Sequence, residues 1–236
     1  MESMSSLQAV FWDMDGTLVD TEPYWIEAEH ELVEAHGGTW SHDQAQLLVG
    51  QALTYSASIL QEAGVAMGNR EIIDHLTQRV ISRCRQQIPW RPGARELLED
   101  LNAAGVRCAL VTMSFKPLAQ AIVDALPADH LEFIISGDMV SAGKPDPEAY
   151  HTAFSTMAAD HTERTGEELH RARCVAIEDS VPGTAAAAAS GMVTLAVPHF
   201  TPLPDTGQWH LAETLHGLRT ADLQNLLANA PAPITA

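Results

Sequence analysis

Five short stretches of the chain are apolar at nearly every position: 9–12 (AVFW), 107–112 (RCALVT), 132–136 (EFIIS), 174–178 (CVAIE) and 193–197 (VTLAV). None alternates apolar with polar residues. Continuous apolarity over so short a length predicts strands covered on both faces, as in a parallel sheet. Helical patterns separate the last four. In GARELLEDLNAAG, Leu97, Leu98 and Leu101 fall on one face, and Gly105 stops the pattern. KPLAQAIVDAL precedes the third strand, and PDPEAYHTAFSTMAAD lies between the third and fourth. VPGTAAAAASG lies between the fourth and fifth, with Pro182 near its start and Gly191 just past its end. Its run of alanines, 185–189, suits a helix packed close against a sheet. Repeated β-α alternation predicts an α/β fold, doubly wound around a mainly parallel sheet.

The interval after the first strand breaks this rhythm. From Glu22 to about Trp90 the pattern is helical only: EPYWIEAEHELVEAHG, SHDQAQLLVG, LTYSASILQEAG and NREIIDHLTQRVISRCRQQI. That is too long for one crossover helix. It predicts an inserted α-helical domain, residues 22–91, within an α/β core made of 1–21 and 92–236. PWRPG, 89–93, is the return linker, and the tail ANAPAPITA is expected to fray.

Composition narrows the partners. The chain has 236 residues, 46% of them hydrophobic, and a formal net charge of −18. So acidic a surface repels nucleic acid and anionic membranes, and neither is expected as a partner. Three cysteines, Cys84, Cys108 and Cys174, are too few and too widely spaced for a disulfide framework or a zinc cluster. Cys108 and Cys174 read as small core thiols. The N-terminus MESMSSLQ has neither a basic start nor an apolar stretch, and no apolar run approaches membrane-spanning length. A reduced, cytoplasmic protein is expected, as a monomer or a weak homodimer.

Candidate chemistry lies where the strands end. Sites in open α/β sheets form at the carboxyl ends of strands. The first strand runs straight into Asp13 and Asp15, followed by Gly16. The second ends in Thr112, with Ser114 just beyond. SAGKPDP, carrying Lys144, follows the third, and the fourth ends in Glu178, Asp179 and Ser180. Taken singly, each residue reads equally well as a helix cap or turn; Asp179 ahead of Pro182 could be an N-cap. Taken together and in this order, they read as a site. At ~4 Å, unpaired carboxylates repel by ~4 kcal/mol per pair at an effective dielectric of ~20. Asp13, Glu178 and Asp179 therefore call for a cation or for protons. Hard oxygen ligands suit Mg²⁺, which takes one or two carboxylates plus substrate oxygens. With Lys144, the metal would let an acidic protein accept an anion. Thr112 can hydrogen-bond a phosphoryl oxygen, and a carboxylate can attack phosphorus to form an aspartyl-phosphate. A second carboxylate two residues along lies on the same side of an extended chain and can serve as acid and base.

DMDGTLVD, the Val111–Thr112 pair, GKPDP and EDS resemble the four successive motifs of the haloacid dehalogenase superfamily. The helical insert after the first strand resembles that of its β-phosphoglucomutase-like branch. The resemblance spans nearly the whole chain and implies a Rossmann-like core with a helical cap that closes over the substrate. It implies Asp13 as phosphorylated nucleophile and Asp15 as acid/base, with the Asp15 backbone carbonyl also touching the metal. Thr112 and Lys144 would hold phosphate, with Ser114 beside them. Asp179, with Glu178, would complete a Mg²⁺ site begun by Asp13 and Asp15.

Members that cleave carbon–halogen bonds lack an aspartate at the place of Asp15, which argues against dehalogenation. The β-phosphoglucomutases carry a histidine just after the first motif, where this chain has Trp25, and a cap arginine where it has Leu53. Both departures favour water as acceptor, and hence a phosphatase acting on a small phosphorylated sugar or polyol. A sugar phosphomutase is the alternative, and a regulatory protein with a relict site is disfavoured by the intact motifs. Glu22, Tyr24, Trp25, Gln51 and Tyr55 are candidates to line the cleft, although Trp25 and Tyr55 suit packing within the helical domain equally well. Glu22 also suits a helix N-terminus. The histidines, His30, His36 and His75 among them, show no metal-binding spacing.

Overall fold

The computed structural model describes residues 6–49, 53–127 and 130–229. Gln51 and most of the tail expected to fray lie outside them. The chain divides into two compact units, one running up to Val19 and resuming at Trp90, the other spanning Asp20–Pro89. Both junctions lie two residues before those read from the sequence. An antiparallel bridge between Val19 and Trp90 holds both residues to the first unit.

The first unit is a six-stranded, wholly parallel sheet. Its strands are β1 (Ala9–Trp12), β2 (Arg107–Val111), β3 (Ile134–Ile135), β4 (Cys174–Glu178), β5 (Val193–Ala196) and β6 (His210–Leu211). They lie in the order β3-β2-β1-β4-β5-β6. The chain moves outward on one side of β1 as far as β3, then returns to place β4 on the other side. The strand order therefore reverses at β1, where a crevice opens at the carboxyl ends. Every residue of β1, β4 and β5 is buried, the reason these strands read as unbroken apolar runs. The expected third strand shortens to two residues, and β6 has no counterpart in the sequence reading.

Among the described residues this unit carries the helices α5 (Ala94–Ala103), α6 (Lys116–Val123), α7 (Glu148–Thr165), α8 (Val181–Ala189) and α9 (Thr220–Ala228). Leu97, Leu98 and Leu101 of α5 are fully buried, each contributing about 1.5–3 kcal/mol. One face of the sheet presents Ala9, Phe11, Ala109, Val111, Cys174 and Ala176. Against it pack Tyr150, Ala153 and Met157 of α7, with Ala186 and Ala187 of α8. The alanine run thus permits close approach, as expected. α9, absent from the sequence reading, is tied to α5 because the Thr220 amide and hydroxyl both donate to Asp100 Oδ2 (2.8 and 2.7 Å).

The second unit is helical: α1 (Glu22–Ala35), α2 (His42–Gln46), α3 (Leu53–Glu62) and α4 (Asn69–Gln86). Helix α4 buries Ile72, Ile73, Leu76, Val80, Ile81 and Cys84 along one stripe, and α1 and α3 pack against it. Arg79–Glu31 and Arg83–Glu27 ion pairs join α4 to α1, and the Tyr24 hydroxyl donates to the Gln87 carbonyl (3.0 Å). Ser41 and Gln44 form a reciprocal cap at the start of α2. Tyr55 is half exposed, so the packing reading of that residue is corrected, whereas Trp25 is partly buried. Among the described residues, no helix is long and apolar enough to cross a membrane.

Candidate active site

Strand register brings the chemistry together. β1 pairs with β4 so that Trp12 faces Ile177, and the Asp13 amide continues the ladder onto the Ile177 carbonyl (3.0 Å). Asp13 and Glu178 are therefore neighbours across the ladder. By the two-residue alternation of strands, both side chains emerge on the face that carries Phe11, Ala176 and helices α7 and α8. Carboxylate oxygens of Asp13, Glu178 and Asp179 all lie within 4.8 Å of one another, and all three residues are buried.

Lys144 reaches this cluster from the loop before α7. Its Nζ donates to Asp13 Oδ1 (2.6 Å) and to the Val111 carbonyl (2.9 Å), and pairs with Glu178 Oε1 (2.6 Å). Those three contacts occupy all three protons of an ammonium. Glu178 Oε1 also accepts from the Tyr150 hydroxyl (2.7 Å), and Asp179 Oδ1 accepts from Thr17 Oγ1 (3.3 Å). The N-cap of α8 is Ser180, whose hydroxyl accepts from the Gly183 amide (3.1 Å). The capping reading of Asp179 is thereby displaced, and its carboxylate is left to the cluster.

Two glycines make room. Gly16 has φ +89°, a conformation that disfavours a side chain, and a Cβ there would sit 2.1 Å from Asp179 Oδ2. A Cβ on Gly183 would sit 1.9 Å from Glu178 Oε2. Both carboxylates thus occupy space that any other residue would fill.

The electrostatics follow from this crowding. Burial, then the neighbouring Asp13 charge, pushes both Glu178 and Asp179 above the usual carboxylate range, with Lys144 pulling the other way. Burial opposes the charge on Lys144, but Asp13 and Glu178 outweigh it, and its pKa is raised. Burial and Glu178 raise Tyr150, which stays a hydrogen-bond donor. Three carboxylates facing one ammonium leave two formal negative charges. Asp13 Oδ2 is buried without a hydrogen-bond partner. An unsatisfied buried carboxylate oxygen among hard oxygen donors fits a divalent cation such as Mg²⁺.

The Asp15 side chain makes contacts at the end of β2 and stands outside the group of three clustered carboxylates. The chain turns just after Asp15, with the Leu18 and Val19 amides donating to the Met14 carbonyl (2.9 and 3.0 Å). The turn begins at Gly16, and Asp15, just before it, forms an isolated bridge with Val19. Asp15 Oδ2 accepts from Ser114 Oγ (2.6 Å) and Thr112 Oγ1 (3.5 Å) at the end of β2. Its carboxylate is not one of the three in the cluster, so any part it has in a metal site falls to its backbone carbonyl. Thr112 is buried, and its hydroxyl also accepts from the Ser114 amide (3.0 Å). Asp13, Lys144, Glu178 and Asp179 thus form one group, with Asp15, Thr112 and Ser114 a second. Thr17, Tyr150 and Gly183 were missed by the sequence reading. Thr17 sits inside the DGT run and Gly183 inside VPGT, so each carried a signal. Tyr150 carried none beyond its place on an apolar helix face.

Three comparisons bear on this arrangement. A family model for haloacid dehalogenase-like hydrolases matches residues 7–191. A phosphorylated carbohydrates phosphatase of Thermotoga maritima is 28% identical over 79% of this chain and 82% of its own length. A Rhodobacter capsulatus protein named CbbY is 31% identical over 81% of this chain and 86% of its own. The crystal structure of CbbY from Rhodobacter sphaeroides in complex with phosphate superposes with a TM-score of 0.75 at 26% identity, covering 90% of this chain and 96% of that one. With a matching model that spans β1 to β4 and all four strand-end motifs, the chain belongs to the haloacid dehalogenase-like hydrolases.

Proposed function

We propose that this protein is a Mg²⁺-dependent phosphatase that hydrolyses a small phosphate monoester, a phosphorylated sugar or polyol, through a phosphorylated Asp13. The observation that carries the reading is the buried group of Asp13, Glu178 and Asp179 beside Lys144, at the point where the strand order reverses. The relatives named as phosphatases of phosphorylated carbohydrates and of hexitols support the substrate class. So does the CbbY structure described in complex with xylulose-1,5-bisphosphate.

In this reading Asp13, Asp179 and Glu178 hold the cation, together with the Asp15 backbone carbonyl. Once bound, a divalent cation neutralises the acidic cluster and the incoming phosphoryl oxygens, lowering the repulsion between nucleophile and substrate. Lys144 aims Asp13, since it clamps Oδ1 while Oδ2 is buried without a hydrogen-bond partner. A carboxylate oxygen of Asp13 attacks phosphorus, and the bond from phosphorus to the ester oxygen breaks. Asp15 gives its proton to the leaving alkoxide. It then takes a proton from water as that water attacks phosphorus, releasing inorganic phosphate and restoring Asp13. To do so the Asp15 carboxylate must leave Ser114 and Thr112. A phosphoryl group that claims those two hydroxyls would free it.

Phosphate release from a panel of small esters, with Mg²⁺ and with chelator, tests the assignment. Asp13→Asn should lower turnover by at least about 10³-fold, because an amide is a poor nucleophile. Near-normal activity in that variant would overturn the reading. Asp15→Asn should slow turnover by about 10²–10⁴-fold, and an unchanged rate would remove its acid/base role. Phosphorus NMR separates hydrolysis from isomerisation of a sugar phosphate, the product expected of a mutase.

A further inference from the structure

We infer that Tyr150 is a positioning residue for the metal site: its hydroxyl fixes one oxygen of Glu178 while its ring supports Lys144, so that the other Glu178 oxygen is presented to the cation. The inference rests on the reading of Asp13, Glu178 and Asp179 as the metal-holding group.

Tyr150 stands in the first turn of α7, is fully buried, and packs with Phe11, Ala176 and Ala186 against the sheet. An aromatic ring suffices for that packing; a hydroxyl there needs a partner, because a buried donor left unpaired is costly. The partner is Glu178 Oε1, which thereby accepts from Tyr150 (2.7 Å) and Lys144 (2.6 Å) together. Two donors on one oxygen set the rotation of the carboxyl group. The second oxygen, Oε2, lies above Gly183, in the space a Cβ would occupy, with only a long hydrogen bond from Ser180 Oγ (3.5 Å). Lys144 Nζ lies 5.2 Å from the Tyr150 ring centroid, within the range of a cation–π contact. One side chain therefore braces both members of the Lys144–Glu178 pair. Without the hydroxyl, Glu178 Oε1 is held by Lys144 alone, and Oε2 keeps only the long hydrogen bond from Ser180 Oγ. The ammonium, shared between Glu178 and Asp13 in the intact site, is then drawn toward the less satisfied partner. Hydrogen bonds to metal-ligating carboxylates orient the ligands, and losing one weakens metal binding about 10–100-fold.

Calorimetric titration of Mg²⁺ into the substrate-free protein is the test, on the unsubstituted chain and on Tyr150→Phe, with circular dichroism of both. The ring remains in Y150F, so the packing on the sheet is kept while the hydroxyl is lost. The expected result is a folded variant that binds Mg²⁺ about 10-fold more weakly. Tyr150→Leu, lacking the ring as well, should bind more weakly still. A folded Y150F whose affinity falls by less than about threefold would overturn the inference. No Mg²⁺ binding by the unsubstituted chain overturns the metal reading and this inference with it. Normal Mg²⁺ binding by the unsubstituted chain and by Y150F leaves the metal reading intact and removes only the role of Tyr150. Should Y150F not fold, the unsubstituted protein serves. The chain has three tyrosines, and with Cζ carbon-13 labelling, the Tyr150 signal should move with the same Mg²⁺ midpoint as binding. A signal that stays still as the site fills would overturn the inference.

Discussion

Glu178 and Glu29 are both buried carboxylates, one in each unit of the chain, and their surroundings differ sharply. Glu178 meets an ammonium and a phenol hydroxyl on one oxygen, with a helix N-terminus and a glycine slot at the other. Glu29, on α1, has a long hydrogen bond from Trp40 Nε1 (3.4 Å) and, among the described residues, no ion pair. Burial, set against that one bond, pushes its carboxyl up to about 7. Burial alone is therefore not a mark of chemistry. At Glu178 several elements of the fold converge to hold a charge in place, as preorganised sites require. At Glu29 the helical packing leaves the group to relieve its own desolvation by taking a proton.

The comparison can be broken most violently at Lys144. Lys144→Met would leave Asp13 and Glu178 buried without their cation, making both resemble Glu29. Loss of one partner from a buried ion pair costs about 3–5 kcal/mol, and thermal unfolding should show it. Phosphate release should fall by at least about 10³-fold. A smaller disturbance is Gly183→Ala, whose Cβ would land 1.9 Å from Glu178 Oε2. The carboxylate must turn away, and Mg²⁺ affinity measured by titration should drop about 10-fold with the fold retained. Unchanged affinity would mean that Oε2 does not need that space.

The gentlest change sharpens the contrast from the other side. An acid whose pKa is higher in the folded state than in the unfolded one binds its proton more tightly when folded. Its contribution is complete below the ordinary carboxylate range and is lost as pH climbs through about 7, the value for Glu29. Glu29→Gln removes the titration and keeps an acceptor for Trp40. Between about pH 5 and about pH 7 the unsubstituted protein should lose roughly 1–3 kcal/mol more stability than E29Q. Parallel pH dependences of the two melting curves would show that Glu29 stays ionised at no cost. Activity per folded molecule should be the same in both.

Much of this molecule could be read before its structure. The strands β1, β4 and β5 announced themselves because a parallel sheet is covered on both faces and favours nearly continuous apolar runs. The helical insert was legible because one crossover cannot absorb so many residues. β6 and α9 were not. A strand of two residues has no internal pattern and exists only by pairing with β5. α9 is held by Thr220 on Asp100, a contact between positions far apart in the chain.

At the candidate site the division is similar. The sequence by itself determined which groups stand at the strand ends, because apolar runs can only stop where the sheet stops. That put Asp13, Asp15, Thr112, Lys144, Glu178 and Asp179 on one rim. Only the tertiary structure decided who meets whom there. The parallel register set Asp13 beside Glu178, and the packing of β2 beside β1 brought Ser114 to Asp15. The packing of α7 on the sheet brought the Tyr150 hydroxyl to Glu178. Such contacts depend on the direction of a side chain in space, which periodicity along a chain does not encode.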